Sequence, residues 1–128
     1  MLNELIARAD KARSRALASY SRFKVGAALR TKSGTIYEGC NIENASYGLT
    51  VCAEQVALLK ALSEGEREFT EIAVATDART LTPPCGPCRQ LLWEYCGDIP
   101  VHLHSSQGLD KTFKMSELFP HPFDSKNL

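Results

Sequence analysis

A mixed β-sheet with helices on both faces is the α/β fold class that this sequence predicts, and three observations predict it. Apolar residues recur at helical spacing near the N-terminus, two short β-compatible runs flank a glycine turn, and the rest of the chain alternates helix-period with strand-period segments. Leu2, Leu5, Ala9, Ala12 and Ala16, with Ile6 and Leu17, fall at three- and four-residue steps. That spacing predicts a helix of about sixteen residues covering one face of a sheet. Phe23 to Leu29 and Thr35 to Gly39 flank Lys32-Ser33-Gly34, where glycine can take the positive φ of a tight connection, so the pair predicts a hairpin. Asn41 to Thr50 is small, polar and aperiodic, a loop leading into the helical spacing of Val51, Val56, Leu58, Leu59 and Leu62. Glu71 to Thr76 predicts a buried strand, and the loop Asp77 to Pro84 carries prolines unsuited to a strand or helix interior. A helix over Gly86 to Tyr95 follows, with Pro87 in the first turn, where its missing N–H is not needed. Gly97-Asp98 breaks it, and Pro100 to His104 predicts a last strand before a mixed tail ending Leu118-Phe119-Pro120-His121-Pro122-Phe123.

The chain has 128 residues, 44% of them hydrophobic, enough for one core and not two, so residues 1–128 are expected to form a single domain. Fifteen basic and 15 acidic side chains cancel, which leaves no overall charge for binding a polyanion; nucleic acid is not an expected partner. Arg8, Lys11, Arg13, Arg15, Arg22, Lys24 and Arg30 lean to the N-terminal end, and at helical spacing such a run reads as a solvated face. No apolar stretch approaches the ~20 residues of a spanning helix. A soluble, cytoplasmic protein with no membrane partner is therefore expected. Five cysteines, one Cys-x-x-Cys pair and no secretory signal favour metal or redox chemistry over a disulfide framework. Cys40 and Cys96 read as buried small apolar side chains.

The other three cysteines carry the chemistry. Cys52-Ala53-Glu54 and Pro84-Cys85-Gly86-Pro87-Cys88 each open a helix, so Cys52, Cys85 and Cys88 can converge on one Zn²⁺ per chain. Zinc takes thiolates at about 2.3 Å in tetrahedral geometry, and a catalytic zinc keeps three protein ligands with one position open. Helix N-termini favour thiolate over thiol. Three thiolates leave an excess of negative charge at the metal, to be offset by the two helix N-termini and by Arg89 as a further candidate. Glu54, two residues after Cys52, is poorly placed to ligate and well placed to take a proton from a metal-bound water and return it to a leaving amine. Zinc nucleobase deaminases use a non-ligand Glu and a Pro-Cys-x-x-Cys pair in this way. His102, His104 and His121 read as strand or tail residues. Two other classes compete: a closed structural zinc knot, which lacks a fourth ligand at short spacing, and a thioredoxin-like Cys85/Cys88 pair, which leaves Cys52 and Glu54 without a task.

Over nearly its whole length the chain resembles the small homotetrameric cytidine deaminases of pyrimidine salvage. The resemblance runs through Tyr20-Ser21-Arg22-Phe23-Lys24-Val25-Gly26-Ala27-Ala28, Gly39-Cys40-Asn41-Ile42-Glu43-Asn44-Ala45-Ser46-Tyr47, Cys52-Ala53-Glu54 and Pro84-Cys85-Gly86-Pro87-Cys88-Arg89-Gln90. It implies a three-layer α/β/α fold with a central mixed five-stranded sheet. It also implies hydrolytic deamination of cytidine and 2′-deoxycytidine with one zinc per subunit. Asn41 and Glu43 would bond the ribose 3′-hydroxyl, Phe23 would line the base site, the Ala53 N–H would meet the base carbonyl, and the Pro84 region would receive the leaving amine. Ala45, Tyr47 and Phe123 would reach the site of a neighbouring subunit. A related aminopyrimidine nucleoside of the blasticidin S kind is the alternative substrate. One departure stands out: many relatives carry Arg after Cys-Ala-Glu, and this chain has the neutral Gln55. Its amide can donate to sulfur without adding charge.

Overall fold

The structure, a computed structural model describing residues 1–128, contains a five-stranded sheet in the order β2-β1-β3-β4-β5. Its strands are β1 (Gly26–Thr31), β2 (Ile36–Cys40), β3 (Phe69–Thr76), β4 (Pro100–Ser105) and β5 (Leu109–Lys114). Only the β3–β4 pair is parallel, and the chain crosses over between these strands through a helix, as it also does from β2 past β1 to β3. The helices are α1 (Leu2–Arg13), α2 (Ala53–Ser63), α3 (Gly86–Cys96) and the short α4 (Met115–Leu118). Residues alternate between faces along each strand. On one face Leu5 and Ala9 of α1 cover Ala28, Ala73 and Ala75; on the other, Leu29, Ile72, Val74, Val101 and Leu103 pack with Ala57 and Leu58 of α2 and Leu92 of α3. The mixed, three-layer sheet expected from the sequence is present.

Two elements differ from expectation. α1 stops at Arg13, short of sixteen residues, because the Ser14 hydroxyl bonds back to Lys11 O at 2.7 Å, an alternative to helix propagation. Leu17 then leaves the helical stripe and exchanges backbone bonds with Asn41 and Glu43. The second difference is β5, which the sequence pattern did not single out within the tail.

Two glycines set how close the helices sit to the sheet. A Cβ on Gly26 would lie 2.0 Å from Ala9 O, and one on Gly39 would lie 2.4 Å from Ala53 O and 2.6 Å from Ala57 N. All three are backbone atoms, so the clash cannot be relieved by a rotamer change. Gly39→Ala is expected to destabilise the fold by about 1–3 kcal/mol, the usual cost of overpacking, read as a lowered urea midpoint. An unchanged midpoint would contradict this contact.

A polar chain crosses the α1 face. Arg30 of β1 donates to Glu71 of β3 at 3.0 Å, Glu71 meets His102 of β4 at 2.8 Å, and His102 meets Thr112 of β5 at 2.7 Å. Arg30 also donates to Met1 O at 2.7 Å, which ties the start of α1 to the same row.

Candidate active site

Cys52 is the N-cap of α2 and Cys85 the N-cap of α3, both with extended backbone. Neither sulfur caps its own helix, so each is free to face a ligand while the unpaired N–H groups behind it favour negative charge. Cys88 lies in the first turn of α3 and is buried. Cys52 Sγ and Cys85 Sγ are 3.6 Å apart, Cys85 Sγ and Cys88 Sγ 3.3 Å, and all three lie within 4.8 Å of one another. Tetrahedral zinc with sulfur at about 2.3 Å separates its ligands by roughly 3.8 Å, so the spacing fits one such ion. No fourth Cys or His joins the cluster, as an open, catalytic type of site requires.

The charges agree with that fit. Hydrogen bonds from Cys88 foremost, and from Cys85, favour the Cys52 thiolate against partial burial and bring its pKa down to about 6. Cys88, sharing a proton with Cys52, buried and close to the Glu54 charge, is pushed far up. The Cys88 proton is thus held tightly in the absence of a counter-ion, and a divalent cation is what would displace it. Glu54, in the first turn of α2, is 5% exposed. Burial chiefly, with the Cys52 charge, raises its carboxyl to about 7, near the operating range of a proton shuttle.

Glu54, Cys52 and Cys85 line a cavity of about 210 Å³ together with Phe23, Asn41, Glu43 and Ala53. Sequence reasoning placed all seven there. Asn41 Oδ1 accepts Val25 N–H and its Nδ2 donates to Phe23 O, both at 2.8 Å, so it builds the Phe23 loop and keeps one donor to spare. The Glu43 carboxylate lies below the usual range, chiefly because Ser21 donates to it. Tyr47 lines an adjoining outer cavity of about 400 Å³ with Tyr20, Ser21, Glu43, Asn44 and Thr50, its ring edge-on to Tyr20 at 6.2 Å. Ala45 and Phe123 line neither cavity; Phe123 is 60% exposed.

Pro84 and Arg89 take more specific places than the sequence shows. Pro84 is fully buried and absent from the cavity wall, where Thr82 and Pro83 stand instead; its carbonyl accepts Arg89 Nε at 2.8 Å. Arg89 Nη1 also donates to Leu118 O. The guanidinium thereby braces the loop before α3. Ser21, Thr50, Thr82 and Pro83 escaped the sequence reading because small polar and proline residues in loops carry no pattern beyond turn chemistry.

The family model for the cytidine and deoxycytidylate deaminase zinc-binding region matches residues 2–102. A cytidine deaminase of Halalkalibacterium halodurans is 50% identical over 97% of this chain and 95% of its own. One from Sporosarcina psychrophila is 44% identical over 99% and 94%. The crystal structure of cytidine deaminase from Burkholderia pseudomallei superposes with a TM-score of 0.93 at 44% identity, covering 96% of this chain and 99% of that one. With its clustered thiols, the buried glutamate beside them and full-length similarity of this degree, the chain belongs to the zinc-binding cytidine and deoxycytidylate deaminase family.

Proposed function

We propose that this chain, as one catalytic domain over residues 1–128, hydrolyses cytidine and 2′-deoxycytidine to uridine and 2′-deoxyuridine with release of ammonia. The observation that carries the reading is a buried carboxyl, Glu54, opening into the same cavity as Cys52 and Cys85. Cys52, Cys85 and Cys88 would hold one zinc, which when bound supplies the Lewis acidity that makes water nucleophilic at neutral pH. Glu54 takes the proton released as the C4–O bond forms and delivers it to the departing amine. Its depth excludes bulk water, and its raised pKa lets it hold and release that proton near neutrality. Phe23 offers a ring face to the base and the Ala53 N–H a donor to the base carbonyl. Asn41 and Glu43 keep a spare donor and acceptor for a sugar hydroxyl.

A homotetramer is proposed as the working assembly, with Ala45, Tyr47 and Phe123 contributed to neighbouring sites. Supporting it, Leu17, Tyr47, Leu49 and Phe123 are each at least 60% exposed, more large apolar surface than a solitary copy needs. No helix is long and apolar enough to cross a membrane; a cytoplasmic location, with a small nucleoside as partner and neither nucleic acid nor membrane, completes the proposal. The test follows the ultraviolet absorbance of cytidine with purified protein. Loss of the cytidine band, stopped by a chelator, is expected; an unchanged spectrum with the zinc-loaded protein would refute the assignment.

A further inference from the structure

One carboxylate organises the loop that walls both cavities. Glu43 Oε1 accepts the N–H groups of Tyr20 at 2.9 Å and Ser21 at 3.0 Å, and Oε2 accepts the Ser21 hydroxyl. The Ser21 oxygen in turn accepts the Phe23 N–H at 3.0 Å. Arg22, between these anchors, has φ +58°, a left-handed conformation that non-glycine residues adopt only when their surroundings hold them. The last torsion of a glutamate is broad. Two bonds to one oxygen leave the carboxylate free to swing about that oxygen; the hydroxyl on the other oxygen fixes its plane. Of about four acceptor positions on a carboxylate, three are occupied here, so one remains on Oε2, aimed by Ser21.

We propose that Ser21 is a positioning residue for sugar recognition: its hydroxyl orients the Glu43 carboxylate so that the one vacant acceptor position meets the substrate's 3′-hydroxyl, while its oxygen pins the backbone of Phe23. The inference rests on the reading of Glu43 as the 3′-hydroxyl contact. Ser21 itself lines both cavities, and it has one proton, already committed to Glu43. It acts through Glu43 and takes no part in the chemistry at C4.

The measurement is the ratio of kcat/KM for cytidine to that for 3′-deoxycytidine, in the zinc-loaded wild type and in three variants. In Ser21→Ala this ratio is expected to fall about tenfold, the scale of losing one hydrogen bond to a charged group, carried by KM. Ser21→Thr, which keeps the hydroxyl, is expected to retain the ratio within about twofold. Glu43→Ala serves as the reference and should lower the ratio at least as far. A merely structural defect would slow both substrates alike and leave the ratio unmoved. If Glu43→Ala lowers the ratio and Ser21→Ala does not, the role of Ser21 is overturned and that of Glu43 stands; if Glu43→Ala leaves it unmoved, both fall.

Discussion

Glu54→Gln is expected to abolish turnover while leaving the zinc in place. Gln matches the carboxyl in shape but cannot carry a proton between water and amine, and loss of a positioned acid–base group costs about 10²–10⁴ in rate, here at the upper end since one group serves both steps. Metal analysis should still return one zinc per chain, since Glu54 stands outside the sulfur cluster. Loss of zinc together with activity would make Glu54 a ligand and overturn its assigned role. The metal-stripped proteins separate the two further. A carboxyl whose folded pKa, about 7, exceeds its unfolded value contributes stability that is fully present below the unfolded pKa and lost as pH rises through 7. Wild-type apoprotein should therefore lose stability relative to Glu54→Gln between about pH 5 and 7, by up to roughly 3 kcal/mol. Parallel stability curves would show that burial does not penalise the charge.

Chelation is expected to remove activity to background and to lower the melting temperature on the order of 10 °C, reversed by adding zinc back. A ligand present at a thousand times its Kd stabilises by about 4 kcal/mol, which for a chain of this size is that scale of shift. Thiol reactivity should report the same event. Without metal, Cys52 has a pKa of about 6 and should be the first cysteine alkylated near neutral pH, whereas Cys96, pushed up to about 12 by burial, should stay unmodified. Mass spectrometry of briefly alkylated protein reads this directly. Equal labelling of Cys52 with and without zinc would remove it from the ligand set.

The sequence revealed the site more completely than the sheet. The convergence of Cys52, Cys85 and Cys88 beside a buried Glu54 was legible because few residue types do such chemistry and helix starts fix where they point. Strand β5 was not, for a physical reason. It lies at the sheet edge, and Leu109 and Phe113 alternate correctly, but the position between them is Lys111, whose ammonium sits 4.7 Å over the Phe113 ring. A long cationic side chain can cover apolar surface with its stem, so polarity at that position hid a strand. The end of α1 was hidden by Ser14, whose hydroxyl competes for a helix carbonyl. Pro84 was placed by motif alone, and only the fold shows its carbonyl turned to Arg89.

The row Arg30, Glu71, His102 and Thr112 gives the sheet an alignment mark. The strands β1 and β3 it joins are rich in alanine on this face, and small uniform side chains tolerate sliding. A strand shifted by two residues would keep its apolar side inward yet strand a guanidinium or a carboxylate without a mate, which is costly away from water. A slipped register is thereby penalised at β1–β3 and again at β3–β4, the parallel junction that brings the start of α3, and with it Cys85 and Cys88, to its place.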